Sequence, residues 1–226
     1  MSTLLEGSRI AALYRYPEHS IAWPLLSAHE YPWEALDGIK AYILSLGATL
    51  SEEEYTRIGE DVWVAKTARI AASASLNGPC IICADAEIRH GAFIRGSAIV
   101  GEGAVVGNST ELKNCILFDG VQVPHFNYVG DSILGYRSHM GAGAITSNVK
   151  SDKTPVKIRY GGECIETGRK KVGAMLGDLV EVGCNSVLNP GTVIGRETNV
   201  YPLSSVRGYV PEACIYKAVE CVVKKN

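Results

Sequence analysis

Arg95 and Lys113 are two cations 18 residues apart, and His125 follows inside the segment VPHFNYVGD, residues 123 to 131. Arginine offers a planar fork of donors and lysine a compact point charge, so together they suit a phosphate. Histidine is the side chain that titrates near neutral pH without help, so it suits the removal of a proton from an amine or hydroxyl. Each has a structural alternative. The two cations could extend into solvent or pair with Glu111, and a lone histidine is more often a structural residue than a base. His90 and His139 follow the same theme more weakly.

These residues interrupt a regular background. From Ile58 an aliphatic side chain recurs every six residues, through Val64, Ile70, Leu76, Ile82 and on to Leu112, then after a shortened step at Leu117, Val123 and Val129, and after another at Leu134 and Met140. A second arm runs from Leu176 to Val206. A period of six belongs to neither an α-helix nor an isolated hairpin sheet, and marks a parallel β-helix. Four residues after each aliphatic comes a small side chain, such as Ala86, Ala92 or Ala98, which can share a narrow interior. One residue after it the chain prefers Gly, Ala or Asn, read as tight corners. Three short strands and three corners make an 18-residue coil, so residues 18 apart lie one above the other at a spacing of about 4.8 Å. That rule stacks Arg95 and Lys113 on one corner, where their like charges call for an anion. The shortened steps near VPHFNYVGD predict local bends that aim side chains.

Composition narrows the partners. The 226 residues are 46% hydrophobic, with a net charge of -2 and a pI near 6.2, which gives no basic field for nucleic acid or anionic membrane. No apolar run reaches the length of a membrane span, the first 25 residues lack a signal-peptide core, and a cytoplasmic location is expected. Cys80 and Cys83 form one C-x-x-C within the repeat and are expected to be structural thiols; the total of seven cysteines, scattered and odd, suits a reducing compartment.

The pattern divides the chain into an N-terminal helical cap over 1–57, a first β-helix arm over 58–149, an insertion over 150–171, a second arm over 172–210 and a tail over 211–226. In the cap, Pro32 opens a helix whose stripe is Leu36, Ile39, Ile43 and Leu46 with Gly47 at its C-terminal end, and Ser51 to Glu54 reads as a capping box for another short helix. These helices are expected to plug the open end of the solenoid. The insertion, SDKTPVKIRYGGECIETGRKK, is expected to project from a corner and help build a site. The tail is left open between strand and helix.

The stretch VPHFNYVGDSILGYRSHMGAGAITSN, residues 123 to 148, resembles the surroundings of the catalytic histidine in the left-handed β-helix acyltransferases. Within them it is most similar to the acetyltransferase domain of the bacterial bifunctional enzyme that makes UDP-N-acetylglucosamine, a trimer. The register holds without gaps from Arg95 through GNSTELK to Asn148, and again from Leu176 through Val206. The resemblance implies an all-β, left-handed parallel β-helix of hexapeptide repeats assembled as a homotrimer. It makes His125 the general base that takes a proton from the sugar amine and Arg95 and Lys113 the pair that binds the sugar 1-phosphate. Tyr128, His139 and Asn148 join the substrate site, while Ala142, Cys184 and Pro202 lie near the thioester of acetyl-CoA, with the Ala142 N–H facing the thioester oxygen. Three positions depart from the family: His139 stands for an asparagine, Val149 for a tyrosine and Cys184 for a serine.

By resemblance, then, the expected activity is transfer of an acyl group from acetyl-CoA to an amino-sugar phosphate such as glucosamine 1-phosphate, in nucleotide-sugar and cell-envelope precursor metabolism. Residues 1–57 are too short for the family's nucleotidyltransferase half and carry no Gly-rich uridylyl-transfer loop, so no pyrophosphorylase activity is expected. Two other classes stand beside it: a non-catalytic trimeric module that binds a sugar phosphate or a separate nucleotidyltransferase, and a zinc hydratase on the same fold. The latter suffers from the spacing of His90, His125 and His139, which lacks a close histidine pair.

Overall fold

A computed structural model describes residues 3–218 and 221–225. The hexapeptide repeat winds into a three-faced parallel β-helix, the all-β architecture expected. The first face stacks Val62–Ala65, Cys80–Ile82, Ala98–Val100, the ends of Glu111–Leu117 and Tyr128–Leu134, then Ala174–Leu176, Thr192–Ile194 and Tyr209–Val210. The second runs from Arg69–Ile70 to Cys214–Ala218 and the third from Ser75–Leu76 to Ser205–Val206. Aliphatic and small positions point inward together: Ile82, Val100, Ala86, Ala98 and Ala104 are all at 0% exposure.

The corners refine the sequence reading. Where the residue after the aliphatic is glycine, the next coil leaves it no room: a Cβ on Gly107 would sit 1.6 Å from the Pro124 carbonyl oxygen. The left-handed backbone falls later, mostly on the third residue, as at Asp85, Phe126 and Leu203, with φ of 55°, 52° and 60°. Where the repeat shortens, one corner residue is lost and the strand continues around the bend. Glu111–Leu117 and Tyr128–Leu134 therefore each serve two faces and join them in one sheet.

Three expectations about the ends are corrected. Ile58 belongs to a strand, Tyr55–Gly59, that pairs antiparallel with Val62–Ala65; it is exposed and lies outside the solenoid. Ser51 to Glu54 forms a turn into that strand instead of a helix, because Tyr55 is claimed by the sheet. The N-terminal helices do not plug the end. They run down the side of the first face, from Gly7 over Tyr209 to Gly47 over Trp63. Pro32–Asp37 is a 3-10 turn, and Ile39–Gly47 the helix proper. Beneath this strap the outward positions Trp63, Ile81, Ile99, Ile116, Ile133, Met175, Val193 and Tyr209 are buried. Covering each such side chain is worth about 1.5–3 kcal/mol, and backbone hydrogen bonds from Asp178 N–H to Leu13 and from Asp119 N–H to His19 fix the register. The tail is a hairpin of Cys214–Ala218 with Cys221–Lys224; Val219 lies outside the described residues.

Candidate active site

The corner between the third and first faces holds Arg95 and Lys113 as the coil rule required, since Ile94 is the register partner of Leu112. Each cation, however, has a carboxylate of its own. Arg95 Nη1 lies 2.7 Å from Glu111 Oε1, an exposed pair, and Lys113 Nζ lies 2.9 Å from Asp131 Oδ1. Asp131 is 4% exposed, with φ of 49° at the shortened corner. It also accepts hydrogen bonds from Asn114 Nδ2 at 2.8 Å and Asn148 Nδ2 at 2.5 Å. Asn148 donates as well to the Tyr128 hydroxyl at 3.4 Å. Burial first, then the Asp131 charge, raises the Tyr128 phenol above its ordinary pKa. The structure thus gathers Arg95, Lys113, Tyr128 and Asn148 around a buried carboxylate. Sequence reasoning passed over Asp131, although it stands 18 residues after Lys113.

The corner between the second and third faces carries the other set. His125, Ala142, Cys184 and Pro202 form one column, each a coil above the last, as the chain of hydrogen bonds records: Gly143 N–H to His125 carbonyl at 3.0 Å, Asn185 N–H to Ala142 carbonyl at 2.8 Å, and Leu203 N–H to Cys184 carbonyl at 2.9 Å. The His125 ring is exposed and has no hydrogen-bond partner among the described residues. Its backbone is held by Asn127, a buried residue that accepts from His125 N–H at 3.0 Å and donates to the carbonyls of Gly141 and Ala144, both at 2.9 Å. Asn127 was also missed; a polar side chain at an inward position of VPHFNYVGD was the available signal. Phe126 and Leu203 stand out from this corner at 62% and 80% exposure. The third face between the two corners presents Glu111 and Tyr128, register partners on neighbouring coils.

Two expectations are not met. His139 faces outward from the second face, where its Nδ1 is 2.8 Å from Glu181 Oε2, and it is not gathered with Arg95 and Lys113. The insertion does not project. Lys157–Tyr160 and Glu163–Glu166 make a hairpin folded flat along the solenoid, with Val156 and Ile158 fully buried at the Gly191 turn and Tyr160 edge-on to Tyr209 at 5.3 Å. It leads away from His125, toward the C-terminal coils. Burial pushes the Cys80 and Cys83 thiols up to about 12, in keeping with structural cysteines. Among the described residues no three His, Cys, Asp or Glu side chains cluster to hold a metal, and no helix is long and apolar enough to cross a membrane.

Comparison with known proteins places the β-helix in a family. Residues 76–208, more than half of the chain, match the model of the GMPPB C-terminal domain. A bifunctional sugar-1-phosphate nucleotidylyltransferase/acetyltransferase of Sulfurisphaera tokodaii is 33% identical over 145 residues, 56% of this chain and 36% of the relative. The bifunctional protein GlmU of Methanococcus maripaludis is 35% identical over 136 residues, 60% of this chain and 33% of that protein. The chain therefore spans about a third of the length of these relatives. Among solved structures, the acetyltransferase domain of PglB from Neisseria gonorrhoeae aligns over 84% of this chain and 66% of its own, at 15% identity and a TM-score of 0.35.

Proposed function

The chain belongs to the family of the GMPPB C-terminal domain, and within it we propose a CoA-dependent acyltransferase that acts on an amino-sugar phosphate such as glucosamine 1-phosphate, with acetyl-CoA as donor and His125 as general base. The observation that carries this reading is the division of labour between two corners. Arg95, Lys113, Tyr128 and Asn148 occupy one, the column His125, Ala142, Cys184 and Pro202 the other, and the third face spans the space between them. The names of the relatives, a sugar-1-phosphate nucleotidylyltransferase/acetyltransferase and GlmU, support the same substrate class. The donor column suits an extended thioester arm, since exposed Phe126 and Leu203 offer apolar surface beside it.

In the proposed reaction the phosphate is held at the Arg95 and Lys113 corner, which turns the amine toward His125. The nitrogen attacks the thioester carbonyl carbon; the C–N bond forms, the C–S bond breaks, and His125 carries the proton from nitrogen to the departing thiolate. The Ala142 N–H faces the developing oxyanion. No covalent enzyme intermediate is required. A thiol-release assay with acetyl-CoA against hexosamine phosphates, free amino sugars and neutral sugar phosphates tests the reading, which fails if no acceptor releases thiol above the rate of hydrolysis. The departures at Val149 and Cys184 favour one alternative, a non-catalytic trimeric module, and binding of a sugar phosphate without any acetyl transfer would select it.

A further inference from the structure

A phosphate arriving at this corner meets two carboxylates, and they differ in kind. Asp131 is buried and gripped by Lys113, Asn114 and Asn148. Glu111 is about one-third exposed and its carboxylate is engaged by Arg95. Displacing Asp131 would break hydrogen bonds to three half-buried donors at once, one of them charged, whereas parting an exposed ion pair costs roughly 1 kcal/mol or less. Arg95 therefore turns to an incoming phosphate by releasing Glu111.

The released carboxylate is well placed. Glu111 faces outward on the third face, two residues before Lys113, and its N–H donates to the Asn127 carbonyl at 2.9 Å, two residues past His125. It thus stands between the phosphate corner and the base. We propose that Glu111 reads the ammonium group of the acceptor, exchanging Arg95 for the substrate's cation as Arg95 exchanges Glu111 for its phosphate. The inference rests on the acceptor reading above and assigns Glu111 as the residue that selects amino sugars. A zwitterion satisfies both halves of the opened ion pair. A sugar phosphate with a hydroxyl in place of the amine leaves Glu111 unpaired beside a phosphate of charge about -1.5 to -2, a like-charge contact that opposes binding. A free amino sugar gives Arg95 no reason to let Glu111 go. The ammonium held by Glu111 gives up one proton to solvent to become the attacking amine, and His125 carries the second from nitrogen to the departing thiolate.

The test is equilibrium binding by calorimetry near neutral pH, comparing glucosamine 1-phosphate with glucose 1-phosphate on the unaltered protein and on Glu111→Gln. The unaltered protein is expected to prefer glucosamine 1-phosphate. In Glu111→Gln, its affinity should fall on the order of tenfold or more, the loss of one charge-assisted contact. Glucose 1-phosphate should instead bind up to about fivefold more tightly, because Arg95 is no longer occupied. Shifts of opposite sign in one variant cannot come from misfolding. If both ligands shift in the same direction, or glucosamine 1-phosphate is unaffected, Glu111 does not read the amine, and the acceptor reading survives on the unaltered protein's own binding and turnover. If the unaltered protein binds neither sugar phosphate, the acceptor reading falls and this inference with it.

Discussion

Ile116 points away from the solenoid interior, yet it is fully buried. On a bare β-helix that position would face water, and truncating it would change stability by no more than ~0.5 kcal/mol. Here the helix Ile39–Gly47 packs on the same strand, and the neighbouring outward residues Ile99 and Ile133 are buried alongside it. Ile116→Ala removes three carbons from that closed interface and leaves a void the strap cannot easily fill, because its ends are held at Tyr209 and Trp63. The expected loss is about 2–5 kcal/mol, a fall in Tm of roughly 5–15 °C for a domain of this size. Urea and thermal unfolding followed by circular dichroism measure it. Gln122→Ala, an exposed outward position on the second face, serves as the control and should stay within ~0.5 kcal/mol of the unaltered protein. If the two variants lose the same small amount, the strap does not seal the first face and the account of residues 3–50 is wrong.

His125→Ala should lower kcat by ~10² to 10⁴ while sugar-phosphate affinity stays nearly constant; near-normal turnover in the variant would end the acid-base assignment. Arg95→Ala or Lys113→Ala should weaken glucosamine 1-phosphate binding about ten- to a hundredfold and free glucosamine far less, with equal losses showing that the corner does not read phosphate. Under native conditions a thiol reagent should first modify Cys164, Cys184 and Cys221, which are exposed, while Cys80, Cys83 and Cys115, raised to about 12 by burial, react only on unfolding; fast modification of the buried set would contradict the packing. Exposed Phe126 and Leu203 on the His125 corner are expected to be covered in a homotrimer, and light scattering that finds a stable monomer at micromolar concentration would remove that expectation.

The six-residue period by itself determined the β-helix, because inward aliphatics, small partners and corners must recur wherever three short strands share a narrow core. The stacking of Arg95 on Lys113 followed from the same rule. Local sequence also held a helix ending at Gly47, whose apolar stripe joins near neighbours, but it ran that helix from Pro32, where the structure has a separate 3-10 turn, Pro32–Asp37, ahead of Ile39–Gly47. What it could not hold was anything that depends on which surface a segment meets. The strap went to the side of the first face because Ile81, Ile99, Ile116 and Ile133 form an apolar ladder that exists only once the coils are stacked. The insertion lay flat for a similar reason, since Val156 and Ile158 have a partner only when the Gly191 turn is in place. Charge pairing was partly tertiary: the sequence offered Glu111 as a partner for the two cations, and folding gave it to Arg95 and supplied Asp131 for Lys113, the first carboxylate partly exposed, the second buried and held by three donors.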